Sequence, residues 1–218
     1  MNILRVKKCI QARPTDWSNS LFLGIAMESK FAKMNLEEKQ LDCSLIYDGN
    51  LIHVYKDNVL LPNGKKIVRE YIKHSQAVAV VAMDDEQRIV IEHQFRYPFR
   101  AETLEIPAGK LDYEDEDPLE AVKRELYEET GITASEITYL CPFWPVCAYS
   151  TEAIHLFFAK GLTFGSEREL DLDESINVEM VPIRDVVQMI YDGKIPDAKT
   201  QAAVLQVWSR FCQKEAWK

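Results

Sequence analysis

The stretch Arg124-Glu125-Leu126-Tyr127-Glu128-Glu129-Thr130-Gly131-Ile132 decides how this chain is read. On a helix, residues three and four apart share a face, so Glu125, Glu128 and Glu129 converge within about 100° of arc. Leu119, Val122 and Leu126 form an apolar stripe beside them, roughly a quarter turn round. The spacing predicts a helix that packs on a sheet with one face and leans three carboxylates over its edge. Asp117 reads as the N-cap, Pro118 sits in the first turn, and Gly131 ends the helix. Three like charges at this spacing repel one another in an isolated helix, so their coexistence points to a compensating cation. Hard oxygen donors suit Mg²⁺ or Mn²⁺. A solvated acidic helix face is the plainer alternative, and three features weigh against it. The turn Pro107-Ala108-Gly109 offers backbone carbonyls ahead of the helix, Arg124 is placed to orient carboxylates, and Gly131 stops the helix just past the cluster.

Outward from this helix the texture is mostly strand. Residues 77–83 form a continuous apolar run, which predicts a central strand, and the turn Asp84-Asp85-Glu86 leads into another at 88–93. Short strands are expected at 104–106, 137–140, 153–159 and 177–181, with closing helices over 182–191 and 198–215. Before residue 77, turns at Asp48-Gly49-Asn50 and Pro62-Asn63-Gly64 separate strands at 45–47, 51–55 and 66–74, a meander signal. Residues 1–43 suggest a strand over 3–10, a loop, and a helix over 28–40. The expected architecture is α/β (α+β): a mixed sheet sandwiched between helices, behind an N-terminal β-rich extension. The expected division is residues 1–74 for the extension and meander, and 75–218 for the domain that carries the glutamate helix.

Bulk properties narrow the function. The 218 residues carry a formal net charge of −9 and lack a strong basic cluster, which argues against a nucleic-acid binder. An acidic protein acting on a polyphosphate needs cations, although an ordinary acidic protein shows the same charge. No apolar run approaches the ~20 residues of a membrane helix, and the N-terminus lacks a signal-peptide core, so a cytoplasmic location with no membrane contact is expected. Five scattered cysteines, Cys9, Cys43, Cys141, Cys147 and Cys212, form no CxxC pair and indicate neither a disulfide framework nor a zinc knuckle. His53, His74, His93 and His155 are isolated in sequence, and packing is expected for each before catalysis.

The segment around the glutamates resembles the Nudix box: Gly, five residues, Glu, seven residues, Arg-Glu, an aliphatic residue, any residue, Glu-Glu, any residue, Gly, an aliphatic residue. From Glu116 through Ile132 the match is complete; the departure is that six residues separate Gly109 from Glu116. An insertion within 110–115 accounts for it, whereas pairing Asp115 with the Glu position breaks the spacing to Arg124. The resemblance implies that Glu125, Glu128 and Glu129, with the backbone carbonyl of Ala108, hold Mg²⁺, with Mn²⁺ as a substitute. It gives Glu128 and Arg124 catalytic roles and makes Glu116 supporting.

Further stretches are similar to the ADP-ribose pyrophosphatase branch: residues 74–81, 92–98, 104–109 and 193–200, with coverage of roughly 44–207. Residues 1–43 do not resemble it. The branch implies hydrolysis of ADP-ribose to AMP and ribose 5-phosphate by a homodimer whose N-terminal strands reach the partner's site. It also implies substrate contacts from Arg96 and Glu152. Its general base lies on a loop after the strand at 153–159, where Glu174 is the expected residue, with Asp173 and then Glu152 as alternatives. The branch's Pro-Ser-Pro-Gly-like loop is altered, with Cys147 and Ala148 in place of the second proline and the glycine. Cys147 reads as a small packing residue before a reactive thiol. Arg96 suits bidentate phosphate contact or a surface salt bridge. Tyr97, Phe99 and Trp144 suit base stacking, though core or interface packing is the commoner use. Two alternatives remain: a Nudix hydrolase of a nucleotide sugar, dinucleoside polyphosphate or coenzyme, and a non-catalytic ligand sensor. A calcium site at 112–117 is set aside because it lacks the EF-hand ligand order.

Overall fold

The computed structural model describes residues 35–113, 115–165 and 175–213, and the chain divides into two compact units, residues 1–71 and 72–218. The expected strand over 3–10 and the expected base Glu174 lie outside the described residues.

In the first unit, Lys39–Asp48 (β1) pairs antiparallel with His53–Leu60 (β2), and Lys66–Lys73 (β3) completes the order β1-β2-β3. The helix expected over 28–40 does not reach its predicted end. Lys39 and Gln40 already pair with Leu60 and Val59, so strand pairing overrides the local preference of a Glu- and Lys-rich stretch. Asp42 accepts both the backbone N–H (3.2 Å) and the side-chain amide (2.9 and 3.0 Å) of Asn58, which supports the register. Leu45, Ile46, Tyr47 and Leu51 stand exposed on this unit.

The second unit is built around Ala77–Ala82 (β4), all of whose residues are buried. Its sheet continues with Ala108–Lys110 (β7), Ile154–Phe164 (β9) and Ile132–Phe143 (β8) in the order β7-β4-β9-β8, with β4 and β9 parallel and the other pairs antiparallel. Alternation sends Val78, Val80 and Ala82 to one face, where they join Ala121, Val122 and Leu126 of the helix Pro118–Thr130 (α1). Ala77, Ala79 and Val81 go to the other, against Val186, Val187 and Ile190 of Ile183–Tyr191 (α2) and Ala203, Val204 and Val207 of Ala198–Val207 (α3). Burial on both faces is why β4 reads as an unbroken apolar run. A second sheet has Arg88–Arg96 (β5) between Ala101–Glu105 (β6) and Ile176–Pro182 (β10). This is the mixed-sheet, helix-flanked α/β fold expected from the sequence.

Several details differ from expectation. Leu119 is exposed, and Ala121 takes its place on the buried face of α1. Residues Ala108 and Gly109 belong to a short strand, because β7 pairs with β4 from Ala77↔Lys110 to Ala79↔Ala108. β8 and β9 are longer than the apolar stretches suggested, since they pair from Ile132↔Phe164 to Phe143↔Ile154. The last helix is regular only to Val207 and ends in a π-helical turn, Trp208–Cys212. Among the described residues, no helix is long and apolar enough to cross a membrane.

His93 ties the second sheet together across its surface. Its Nδ1 lies 2.8 Å from Glu102 of β6 and its Nε2 2.8 Å from Glu179 of β10. The hydrogen bond with Glu179, then that with Glu102, raises the imidazole above its ordinary value of 6.5. A raised folded-state value stabilises the fold fully below about pH 6.5, and this contribution is lost as pH climbs through the raised value. Urea unfolding of wild type and His93→Gln at pH 6 and pH 8.5 should therefore show a wild-type advantage that shrinks at the higher pH; an advantage that grows would refute the assignment.

Candidate active site

The helix α1 is fixed at both ends by its own sequence. The Asp117 side chain accepts the Leu119 N–H at 2.9 Å, and Pro118 opens the helix. Gly131 closes it at φ 70°, a conformation that favours glycine, and donates its N–H to the Tyr127 carbonyl at 2.7 Å. The Gly131 carbonyl in turn accepts the Gly165 N–H at 2.8 Å, which places the end of β9 against the end of the glutamate helix.

Along that helix the three carboxylates differ in depth. Glu129 is buried and its Oε2 accepts the Ala108 N–H at 3.0 Å. Glu125 is mostly buried and Glu128 is half-buried. Arg124 supplies the countercharge. Its Nη1 lies 2.9 Å from Glu125 Oε1 and 3.0 Å from Glu128 Oε2, and its Nη2 lies 3.2 Å from the Lys110 carbonyl. Burial works against the guanidinium charge, but Glu116, Glu125 and Glu128 outweigh it and hold Arg124 protonated well beyond its ordinary range. Glu116 is buried; it accepts the Asp112 N–H at 2.6 Å and faces Arg124 at 3.4 Å. The six-residue loop between Gly109 and Glu116 is thus tied at both ends to the same arginine, so the extra residue lies between two fixed points.

The donor set of Glu125, Glu128, Glu129 and the Ala108 backbone fits a hard divalent ion. Among the described residues no three acidic, histidine or cysteine groups already form a metal cage, and Arg124 occupies the space between Glu125 and Glu128. Gly109 supports the fit independently: a Cβ built there would overlap the Glu125 carboxylate. Only a residue without a side chain lets Glu125 lie against the strand that leads into the site.

The other expected residues fall into two groups. Arg96 is near this cluster, since the Glu129 charge adds to the field that holds it protonated. It is gripped by Glu105, with Nε and Nη2 each 2.7 Å from a carboxylate oxygen. Glu152 instead faces His74 at 3.8 Å, and no hydrogen bond or ion pair among the described residues joins it to α1. Tyr97, Phe99 and Trp144 are exposed, so core packing does not account for them. Cys147 is exposed too, against the packing role expected of it, and no disulfide occurs among the described residues. His155 is buried, and burial lowers its imidazole. What sequence reasoning missed is the network behind Arg96: buried Glu105, which bonds it, and then Lys199, Asp197 and Thr200, linked to Glu105 in turn. Their segments were singled out, at 104–109 and 193–200, but a lysine in the first turn of a helix gives no sign that it is buried.

A helix-flanked mixed sheet that sets a glutamate helix against a glycine-bearing strand defines the class, and the chain belongs to the Nudix family: the NUDIX domain matches residues 73–204. It is similar to the ADP-ribose pyrophosphatase of Bacillus subtilis (strain 168), 41% identical over 171 residues, covering 78% of this chain and 92% of that protein. It is 38% identical to the methanol dehydrogenase activator of Bacillus methanolicus, over 77% of this chain and 91% of that one. It is 31% identical to the ADP-ribose pyrophosphatase of Mycobacterium tuberculosis (strain ATCC 25618 / H37Rv), over 74% and 79% respectively. In structure it matches a chain described as an ADP compounds hydrolase, with TM-score 0.73 and 21% identity, covering 82% of this chain and 96% of that one, a likeness of fold.

The Gly109 contact yields a test. Gly109→Ala meets only the far end of a flexible side chain, so the melting temperature should stay within a few degrees while turnover falls by about 10 to 100-fold, the cost of misplacing a catalytic group by about 1 Å. Melting by circular dichroism with a parallel hydrolysis assay checks both halves, and unchanged turnover would remove the reason for a glycine.

Proposed function

We propose that this Nudix pyrophosphohydrolase cleaves the diphosphate bridge of ADP-ribose, giving AMP and ribose 5-phosphate. The observation that carries the reading is the intact set Glu125, Glu128 and Glu129, gathered by Arg124 against the Gly109 strand. Two relatives named as ADP-ribose pyrophosphatases, at 41% and 31% identity, support the substrate. Glu125, Glu128, Glu129 and the Ala108 carbonyl would hold Mg²⁺ or Mn²⁺, which when bound neutralises diphosphate charge and polarises the P–O bonds. Arg124 keeps the carboxylates in one arrangement and offsets their repulsion. Arg96 orients an anionic oxygen of the substrate through the guanidinium edge that Glu105 does not use. Glu152 bounds the substrate from the loop before β9. Glu174, on the segment between β9 and β10, accepts the proton of the attacking water. The water oxygen bonds to one phosphorus, the bridging P–O bond breaks, and the departing phosphate takes the bridging oxygen.

A second reading, hydrolysis of a nucleotide sugar, is favoured by two observations. The chain is 29% identical to the GDP-mannose pyrophosphatase of Yersinia enterocolitica, and Cys147 and Ala148 alter the loop associated with ADP-ribose. Wild type, Glu129→Gln and Glu174→Gln should be assayed with ADP-ribose, GDP-mannose and a diadenosine polyphosphate in Mg²⁺ and in Mn²⁺. ADP-ribose should be the best substrate, and Glu129→Gln should lower turnover by ~10² or more with the fold retained. Glu174→Gln should lower turnover while KM stays within a few-fold. Preference for GDP-mannose transfers the reading to the second substrate; a fully active Glu174→Gln transfers the base to Asp173 or Glu152.

We further propose a homodimer joined through the strands of the first unit, residues 1–74 serving as the dimerisation part. Leu45, Ile46, Tyr47 and Leu51 present apolar surface on that unit, and such surface is normally covered. Light scattering at micromolar concentration should give twice the chain mass; an active preparation that is only monomeric would overturn this.

A further inference from the structure

Arg96 does not stand alone with Glu105. Lys199, at the start of α3, is buried with its Nζ on Glu105 Oε2, and it lies 3.1 Å from Asp197 Oδ2. Asp197 caps α3 by accepting the Thr200 N–H at 2.9 Å, and the Thr200 hydroxyl accepts the Ile106 N–H at 3.0 Å. Thr103 donates its hydroxyl to Glu105 at 2.7 Å. Two cations, Arg96 and Lys199, therefore meet two carboxylates, Glu105 and Asp197, and the quartet is neutral. We propose that Lys199 is a positioning residue for substrate binding: by balancing Glu105 and Asp197 it leaves the charge of Arg96 available to an anionic ligand.

The charge count carries the inference. Glu105 grips Arg96 through Nε and Nη2, and among the described residues Nη1 makes no hydrogen bond, so that edge remains for a ligand. Without Lys199, Arg96 alone would face two carboxylates, the buried Glu105 and the part-buried Asp197, with Glu129 adding a third negative field. The quartet would carry a net negative charge beside a site that must accept a diphosphate. A buried, unbalanced charge is poorly screened, so its effect reaches the ligand. Burial pushes the Glu105 carboxyl up, but the hydrogen bonds and charges of Arg96 and Lys199 bring it to about 2, consistent with a carboxylate permanently engaged by both cations. Lys199 acts through Arg96 and touches no substrate atom. The proposal rests on the reading of Arg96 as a substrate contact.

The experiment compares Lys199→Met, Asp197→Asn, Lys199→Met/Asp197→Asn, Arg96→Gln and Arg96→Gln/Lys199→Met with wild type, using ADP-ribose and Mg²⁺. Lys199→Met should raise KM roughly tenfold and leave kcat within about twofold, the pattern of lost uniform binding. Asparagine still caps a helix, so Asp197→Asn keeps α3 and should lower KM, since it removes a negative charge. The Lys199→Met/Asp197→Asn variant restores neutrality and should return KM to within about threefold of wild type, which loss of a merely structural contact would not allow. Arg96→Gln should raise KM, and adding Lys199→Met to it should raise KM no further. If Lys199→Met leaves KM unchanged while Arg96→Gln raises it, the proposal is overturned and the Arg96 reading stands. If Arg96→Gln leaves KM unchanged, the Arg96 reading fails and takes the proposal with it. A Lys199→Met/Asp197→Asn variant as impaired as Lys199→Met alone also overturns it. Should Lys199→Met fail to fold, Asp197→Asn still decides: a KM that stays level or rises is incompatible with the charge balance.

Discussion

Like-charge repulsion along one edge of α1 is the constraint around which this domain is organised. Glu125, Glu128 and Glu129 share that edge, and an isolated helix would be weakened by them. Arg124 answers the repulsion from within the same helix, bonding Glu125 and Glu128 directly and Glu116 at longer range. Because Arg124 also reaches the Lys110 carbonyl, the cation that holds the carboxylates fixes the loop before the helix as well. The apolar face of α1 is left to do the anchoring, with Ala121, Val122 and Leu126 on the sheet.

The central strand links this edge to the rest of the unit. Val78, Val80 and Ala82 support α1, while Ala77, Ala79 and Val81 support α2 and α3. The Val80 N–H also donates to the Pro107 carbonyl at 3.0 Å, so one strand both carries the helix and positions the segment facing it. The close approach of Glu125 to Gly109 follows from that double role.

Much of this was legible in the sequence, for physical reasons that can be named. The Asp117 cap, the Gly131 stop and the 3.6-residue spacing of the glutamates are local signals, and each appears where read. The two-sided burial of β4 shows as an uninterrupted apolar run. Leu119 was misread because an apolar residue in the first turn can sit beyond the sheet edge, where periodicity alone does not see it. The beginning of β1 at Lys39 was hidden because its polar residues owe their conformation to β2, not to their own preference. The Arg96 quartet was hidden for a related reason. Its members come from three separated segments, and only the packing of α3 beside β6 reveals that Lys199 is buried and shared. Glu152, read as a substrate contact, faces His74 at 3.8 Å, a proximity that spacing along the chain does not announce.

The tie between Thr200 and Ile106 bears on how the domain can be divided. The signature helix and its preceding strand look like a self-contained cassette, yet the backbone just ahead of that strand finds its hydrogen-bond partner nearly a hundred positions away in the chain, at the mouth of a late helix. A fragment cut before Asp197 would keep every signature glutamate and still lose the brace behind Ile106. Transplanting the box into another sheet would meet the same difficulty. A fragment that keeps this brace therefore has to reach into α3, a limit drawn by that distant hydroxyl and not by the signature itself.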